Sequence, residues 1–348
     1  MTESTSLTRI LVATAAVVVI LAGVKAAAAI IVPFLLSLFI AIICSPLIKQ
    51  MTKRKIPLGV AIGVLFVLIV LVFTFLAGLI GSTIQEFTAS IPQYKVLLAE
   101  RISTLQALIE RWNLPFNISR ETVLANFDPS VLMNFVSRVL SSFSGVVSNV
   151  FILLLVVVFM LLESPVAKYK LALALSPDDD LSNEEFYIER VLEGVIGYLG
   201  VKTLMSLLTA VLVWGLLTVF DVQYAVLWAT LSFLLNYIPN IGSIIAAVPI
   251  IVQALLLNGF SIGLAVTVGV IAINMVIGNV LEPRMMGKKL GLSTLVVFLS
   301  LLFWGWLLGT VGMLLSVPLT MAIKIALESS HSTRRYAALL SDAVEIKH

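Results

Sequence analysis

Two asparagines flank a proline in the middle of a long apolar stretch, where side-chain amides would suit the binding of a polar solute. The stretch covers residues 225–257, and its centre reads NYIPNIG from Asn236 to Gly242. Amides both donate and accept hydrogen bonds, so Asn236 and Asn240 are predicted to contact a neutral or weakly anionic solute. The alternative is that they satisfy only the backbone groups that Pro239 leaves without partners.

Three further residues are candidates for the same path. Asn274 and Asn279 lie on a predicted helix over residues 260–281. Since they are five residues apart, a regular helix would place them on different faces, so either could line the path or join two helices by a hydrogen bond. Gly309 lies in the middle of a second interrupted apolar run, residues 292–324.

Glu282 and Arg284 form an acid–base pair at the border of the apolar core. A carrier coupled to protons needs a titratable group within reach of its cavity, and Glu282 is the candidate in this half of the chain. The alternative is an ion pair at the membrane interface, positioned by Pro283. The predicted role is therefore energy coupling or anchoring.

No catalytic centre, metal site or cofactor is predicted. One cysteine and two histidines are too few for an intrachain disulfide or a His-rich metal site. The run Gly287-Lys288-Lys289 lacks the preceding glycine and the Ser/Thr of a nucleotide-binding P-loop. ATP-driven transport by this chain alone is therefore unsupported, and an enzymatic activity is not expected.

The composition requires a membrane around these residues. Hydrophobic residues make up 60% of the chain and charged residues 12%, with a mean hydropathy of +1.11. A soluble chain carries roughly 25% charged residues. A net charge of +3 is too small to indicate nucleic acid as a partner. We predict an all-α polytopic membrane protein with about eight hydrophobic segments in contact with lipid.

A helix cannot run unbroken through the centre of residues 225–257. Pro239 has no amide proton and clashes with the preceding turn, and Gly242 readily adopts left-handed backbone angles. Inside hydrocarbon, such a break is tolerated only within protein or beside a water-filled cavity. The stretch is therefore predicted to be two half-helices that meet at an irregular tip beside a solute path.

The second interrupted run echoes the first. Leu234-Leu235 precede Gly242-Ser243 at the same spacing as Leu301-Leu302 precede Gly309-Thr310. If 225–257 dips into the membrane from outside and returns, the basic loop after residue 281 lies in the cytoplasm, as basic loops prefer. We therefore favour two oppositely directed re-entrant hairpins in an inverted-repeat arrangement over two full spans.

The rest of the chain is divided by its charge pattern. Near the N-terminus, Lys25 and the small residues after it predict a hairpin of two helices near 8–24 and 28–48; the alternative is one long kinked helix. Lys324 is predicted to reach the cytoplasmic surface, and both termini are predicted to be cytoplasmic. The predicted regions are N-terminal transmembrane helices (1–84), an extracytoplasmic helical cap (85–145), a transmembrane helix with a cytoplasmic amphipathic helix (146–200), a transport core (201–324) and a cytoplasmic tail (325–348).

Several strings of the chain resemble one known family. They are NYIPNIG, the run from Asn279 to Arg284, Leu290-Gly291-Leu292-Ser293, the run from Gly305 to Gly309, and Ser316-Val317-Pro318-Leu319. In these the chain resembles the AI-2E transporter family over nearly its whole length.

The resemblance implies a bacterial inner-membrane protein that forms a homo-oligomer such as a pentamer. It further implies export of autoinducer-2, a small furanone-derived polyol used in quorum sensing. Relatives linked to sodium–proton exchange keep a sodium–proton antiporter open as an alternative. A passive pore and a membrane scaffold are two further alternatives. The scarcity of charge between Thr203 and Leu281, where Asp221 is the only charged residue, favours the polyol.

Overall fold

A computed structural model describes most of the chain outside the predicted cap. The described residues are 2–76, 150–175, 181–286, 291–329 and 333–341, with isolated positions at 78, 81, 96 and 103. The predicted cap, residues 85–145, therefore lies almost wholly outside the described residues. Within these ranges the fold is helical, and the one β-type pairing is an isolated bridge between Leu292 and Ser341. The predicted all-α class is confirmed.

The described helices are numbered in chain order. They are α1 (Thr2–Ala26), α2 (Ala28–Lys53), α3 (Leu58–Leu76), α4 (Val150–Leu175), α5 (Leu181–Val219), α6 (Ala225–Leu235), α7 (Ile241–Leu257), α8 (Phe260–Val276), a π-helical turn (Ile277–Leu281), α9 (Glu282–Met286), α10 (Thr294–Ser329), α11 (Arg334–Ala337) and a short 3₁₀ turn (Ala338–Leu340).

Six of these helices are long and apolar enough to cross a membrane: α2, α3, α4, α5, the continuous run Phe260–Met286, and α10. Shorter apolar helices cover Leu11–Ala26, Ala225–Leu235 and Ile241–Leu257. Large apolar side chains are exposed along them, among them Val19, Phe75, Phe159, Val219 and Phe260. Apolar surface this extensive is stable only against lipid or protein. The chain is a multi-pass membrane protein.

The described residues divide into two compact units. The first draws on Met1–Phe66, Asn149–Leu199 and Lys288–His348, and the second on Val67–Ser148 and Gly200–Gly287. In the first unit α2 packs against both α4 and α10. The hydroxyl of Ser37, which is fully buried, donates to the Leu153 carbonyl at 3.0 Å and joins α2 to α4.

The start of the chain bends but does not form the predicted hairpin. Only Ala27 separates α1 from α2, and helical hydrogen bonds continue on either side, from Ala27 N–H to Gly23 and from Ile31 N–H to Ala27. The two helices make few contacts with each other. Lys25 lies over the ring of Trp306 in α10, 4.2 Å from its centre. The alternative of a kinked helix is the better description, because helical hydrogen bonds lead into and out of Ala27 without a loop. The cation–π contact gives Lys25 a partner beside this kink.

The predicted amphipathic helix and the span after it are one element. α5 runs without a break from Leu181 to Val219, through the predicted boundary at residue 200. Gly200 is tolerated there because an isolated glycine costs a helix only about 1 kcal/mol. The polar first half and the apolar second half are therefore parts of one continuous helix.

The first broken stretch is a helical hairpin. Trp228 Nε1 in α6 donates to Gln253 Oε1 in α7 at 2.8 Å, although the residues are 25 positions apart. Gln253 Nε2 donates to the Gln223 carbonyl at 2.9 Å, and Asn258 Nδ2 donates to the Asp221 carbonyl at 3.1 Å. The chain thus leaves the hairpin beside the point where it begins.

The second broken run also folds back on itself. Trp304 Nε1 donates to Thr320 Oγ1 at 3.0 Å, whereas 16 residues of straight helix would separate them by about 24 Å. The reversal occurs at Gly309, whose angles (φ 69°, ψ −151°) lie in a region that is essentially restricted to glycine. α10 is therefore two antiparallel arms, residues 294–308 and 310–329.

Lys324 does not reach a surface as predicted. Its side chain is 4% exposed, and Nζ donates to the Gly291 carbonyl at 2.7 Å and lies 3.5 Å from Glu328 Oε1. Arg190 Nη1 lies 2.7 Å from the other oxygen of Glu328. Local partners at the base of the hairpin make it unnecessary for the long side chain to extend to water.

The backbone at Gly309 generates a testable expectation. Gly309→Ala places a side chain at a glycine-only conformation and is expected to destabilise the protein by about 1–3 kcal/mol. The readout is the apparent melting temperature of the purified protein in detergent, which should fall.

Gly215→Ala is the matched control. Gly215 lies inside α5 with no atom within 4 Å of an added Cβ. The melting temperature of the Gly215→Ala protein should therefore stay the same or rise. Equal melting temperatures for the two variants would contradict a sharp reversal at Gly309.

Candidate functional site

A groove of about 530 Å³ with both polar and apolar walls lies wholly within the second unit. One wall is the tip of the first hairpin with the start of α7, and another is the end of α8 with the π-turn. Polar groups concentrate along it, and apolar side chains of α7 and α8 complete the walls. The polar lining residues are Lys202, Thr209, Asn236, Asn240, Ser243, Asn274, Asn279 and Glu282.

The tip is held by the polar face of α5. Asn236 Nδ2 donates to Ser206 Oγ at 3.1 Å, and the Tyr237 hydroxyl donates to Thr203 Oγ1 at 2.9 Å. Ser206 is fully buried and Asn236 is 8% exposed. Asn236 is therefore in part structural, since its amide fixes the tip, while Asn240 is exposed beside the groove.

The break itself is a tight turn at Asn240. The N–H of Ile241 donates to the Pro239 carbonyl at 2.6 Å, and the central residue Asn240 has φ 58° and ψ −46°. This is a γ-turn of the rare form with positive φ, which is strained for any side chain. Strain of this kind is maintained only where the surroundings over-determine it, and it concentrates at functional sites.

Gly242 has a different role from the one predicted. It lies in the first turn of α7 without a positive φ, and the residue with the unusual backbone is Asn240. A Cβ added to Gly242 would sit 1.8 Å from the Leu235 carbonyl oxygen. Glycine is needed there for close approach of the two arms, because any side chain would force α6 and α7 apart.

A π-helical turn brings Asn274 and Asn279 to the same groove, contrary to the prediction of different faces. In a regular helix five residues rotate by about 500°, which leaves them about 140° apart. The turn Ile277–Leu281 inserts one extra residue and rotates the next part of the helix back by about 100°. Asn279 and Glu282 are thereby turned toward Asn274, and all three line the groove.

Glu282 pairs with a lysine that the sequence patterns did not single out. Lys202 Nζ lies 2.6 Å from Glu282 Oε1, and the two side chains are 4% and 17% exposed. Arg284, the predicted partner, is exposed and is not among the residues that line the groove. α5 supplies the nearer cation because Lys202 projects from the same helix that holds the tip.

The structure therefore gathers most of the predicted site residues. Lining the groove are Asn236, Pro239, Asn240, Asn274, Asn279 and Glu282. Gly242 lies behind the tip, and Gly309 belongs to the first unit, so its place in a solute path stays a prediction.

The contribution of α5 was missed. Lys202, Ser206 and Thr209 follow one another at i, i+4 and i+7 in an apolar helix. Such a spacing marks one face of a helix. That periodicity was the available signal in the sequence.

Comparison with known proteins agrees with this architecture. Residues 14–332 match the family described as AI-2E family transporter. A putative transport protein of Haemophilus influenzae is 69% identical over 348 residues, the whole of both chains. The AI-2 transport protein TqsA of Escherichia coli is 44% identical over 327 residues, 93% of each chain. The putative transport protein YhhT of Escherichia coli is 44% identical over 334 residues, 95% of this chain and 93% of the relative.

The family match extends from α1 to the end of α10 and includes every residue that lines the groove. These relatives match over nearly the whole chain, so the likeness is not confined to one segment. The chain belongs to the AI-2E family of transporters.

Proposed function

We propose that the protein exports autoinducer-2, or a closely similar small polar solute, across the bacterial inner membrane, and that the groove of the second unit is part of the path. The observation that carries the proposal is a groove at a broken helix in which amides, hydroxyls and one ion pair are gathered among apolar walls. Support also comes from the relative named AI-2 transport protein, which is 44% identical. Catalysis is not proposed, and no resident cofactor or metal is invoked.

The chemistry of the groove suits a small polyol. Amide groups of Asn240, Asn274 and Asn279 provide donors and acceptors that match hydroxyl and carbonyl groups. A volume of about 530 Å³ is within the roughly 300–1,000 Å³ typical of small-molecule pockets. Apolar walls from Ile244 and Met275 would cover the carbon face of such a solute.

The hairpins are proposed to enter the membrane without crossing it. α6 has 11 residues and is about 16 Å long, whereas the hydrocarbon core is about 30 Å thick. Support comes from the contacts of Gln253 and Asn258, which bring the two ends of the hairpin together at its base. We propose a re-entrant hairpin that opens toward the outside, an oppositely directed partner in α10, cytoplasmic termini and a homo-oligomeric assembly.

The described groove lining has no unpaired carboxylate to balance the charge of a bare sodium ion. Among its described lining residues, Glu282 is the only carboxylate, and it is already paired with Lys202. A lysine ammonium beside the carboxylate repels a second cation. This arrangement favours a neutral solute over sodium–proton exchange.

Removal of groove amides should slow export. Asn274→Ala and Asn240→Gly are expected to lower kcat/KM for autoinducer-2 efflux by about threefold to tenfold each, the range for one hydrogen bond. Glycine is chosen at Asn240 because it keeps the positive φ without strain. The measurement is efflux from inside-out vesicles or proteoliposomes over a range of concentrations.

Thr230→Ala is the control, because Thr230 lies on α6 outside the groove and donates to the Val226 carbonyl of its own helix. Its efflux should match that of the wild type. Full-rate efflux from both asparagine variants would remove these amides from the path. Efflux that fails to saturate would favour a passive pore over a carrier.

The re-entrant topology can be tested at Arg284. In a background with Cys44→Ser, Arg284→Cys is expected to react with a membrane-impermeant thiol reagent only from the cytoplasmic side, because a hairpin at 225–257 leaves α9 inside. The matched measurement is labelling in right-side-out and inside-out vesicles. Reaction from the periplasmic side would require 225–257 to cross the membrane and would overturn the topology.

A further inference from the structure

The charged groups of the groove form one closely matched pair. Lys202 Nζ and Glu282 Oε1 are 2.6 Å apart, close enough for a charge-assisted hydrogen bond. They are the charged side chains among the described lining residues, so the groove lining has no net charge. The other polar side chains of that lining are amides or hydroxyls.

We propose that the Lys202–Glu282 pair determines specificity by selecting uncharged polyhydroxylated solutes, whose neighbouring hydroxyls bridge the ammonium and the carboxylate. The proposal rests on the transport function proposed above and deepens it by assigning the selection of the substrate to two residues. A hydroxyl suits the pair because one oxygen accepts from Lys202 and a neighbouring hydroxyl donates to Glu282. A solute with two adjacent hydroxyls satisfies both ends at once.

The pair has hydrogen-bonding capacity left for such a solute. The ammonium has three N–H donors, and its described partner is a single oxygen of Glu282. The carboxylate has two oxygens with about four acceptor positions, and its side chain remains 17% exposed on the groove side. The pair can therefore bind hydroxyls without being separated.

Charged solutes are excluded by the same pair. An anion that paired with Lys202 would lie beside Glu282, and a cation that paired with Glu282 would lie beside Lys202. Either ion would bury a charge that the neutral lining does not balance. The desolvation cost of that ion exceeds what its contact with Lys202 or Glu282 returns. A neutral solute needs no such compensation.

The neighbouring structure indicates that the pair is positioned for this task. α5 brings Lys202 to the tip of the first hairpin, and the π-turn rotates Glu282 toward the asparagines of the groove. The other buried lysine among the described residues, Lys324, is bound to a backbone carbonyl at the base of α10 in the first unit. Of these two buried lysines, Lys202 is the one set among groove amides, as expected for a solute contact.

The test compares four solutes in proteoliposomes: autoinducer-2, ribitol, ribonate and 1-amino-1-deoxyribitol. The three ribitol probes share a carbon skeleton and differ in charge. Counterflow by the wild type should favour ribitol over both charged probes. Glu282→Gln leaves an uncompensated ammonium and should shift the ribonate-to-ribitol ratio upward by about tenfold or more. Lys202→Met leaves an uncompensated carboxylate and should raise the ratio of 1-amino-1-deoxyribitol to ribitol by about tenfold or more.

The double variant Lys202→Met with Glu282→Gln restores a neutral lining, so its preference for ribitol over both ions should return. Controls are Lys53→Gln and Glu193→Gln, which remove exposed charges outside the groove and should keep the wild-type ratios. If a single variant does not fold, the three probes are tested as competitors of autoinducer-2 transport by the wild type. Ribitol alone should compete, and competition by ribonate or the amine would contradict the proposed selection of neutral solutes.

The outcomes separate the two proposals. No counterflow of any of the four solutes by the wild type would overturn the proposed transport function. Transport with a preference for either ion, or equal loss of all fluxes in both folded single variants, would overturn the role of the pair and leave transport intact. Relatively faster ribonate transport by Glu282→Gln, together with relatively faster transport of the amine by Lys202→Met, supports the role of the pair.

Discussion

The structure of the second unit depends on one requirement: the backbone and side-chain polar groups of a broken helix need partners inside an apolar chain. Pro239 interrupts the helical ladder between α6 and α7, and hydrocarbon offers no hydrogen bonds in exchange. The backbone of the tip pairs locally, with Gly242 N–H donating to the Ile238 carbonyl. The side chains of the tip find their partners on α5, where Ser206 and Thr203 bind Asn236 and Tyr237. The same face of α5 carries Lys202, so the helix that positions the tip also brings a charge to the groove.

The groove is built from departures from regular helix. A strained γ-turn exposes Asn240, a glycine lets α6 and α7 approach, and a π-turn rotates Asn279 and Glu282 into line with Asn274. Regular helix supplies polar groups as well, with Lys202 and Thr209 on α5 and Asn274 on α8, and the irregular segments bring Asn240, Asn279 and Glu282 to the same groove.

Much of this could be predicted from sequence, and the failures have physical reasons. Composition determines the helical membrane class, and Pro239 with its flanking asparagines indicates the break. The π-turn was not foreseen because no residue type in Ile277–Leu281 requires it. Lys202 was overlooked because it lies two residues past the predicted boundary at residue 200, where a lysine at the start of a span looks like a surface residue. In the structure α5 continues through Gly200, and Lys202 is buried beside Glu282.

The central claim is that solute passes through the groove beside the γ-turn. The most direct measurement places a single cysteine there, Ser243→Cys with Cys44→Ser, and follows its alkylation while autoinducer-2 is titrated. Ser243 lines the groove one turn from Asn240, so bound solute should cover it. The account predicts saturable protection by autoinducer-2 and loss of efflux after alkylation. Alkylation that is unaffected by autoinducer-2 and leaves efflux at its full rate would contradict it.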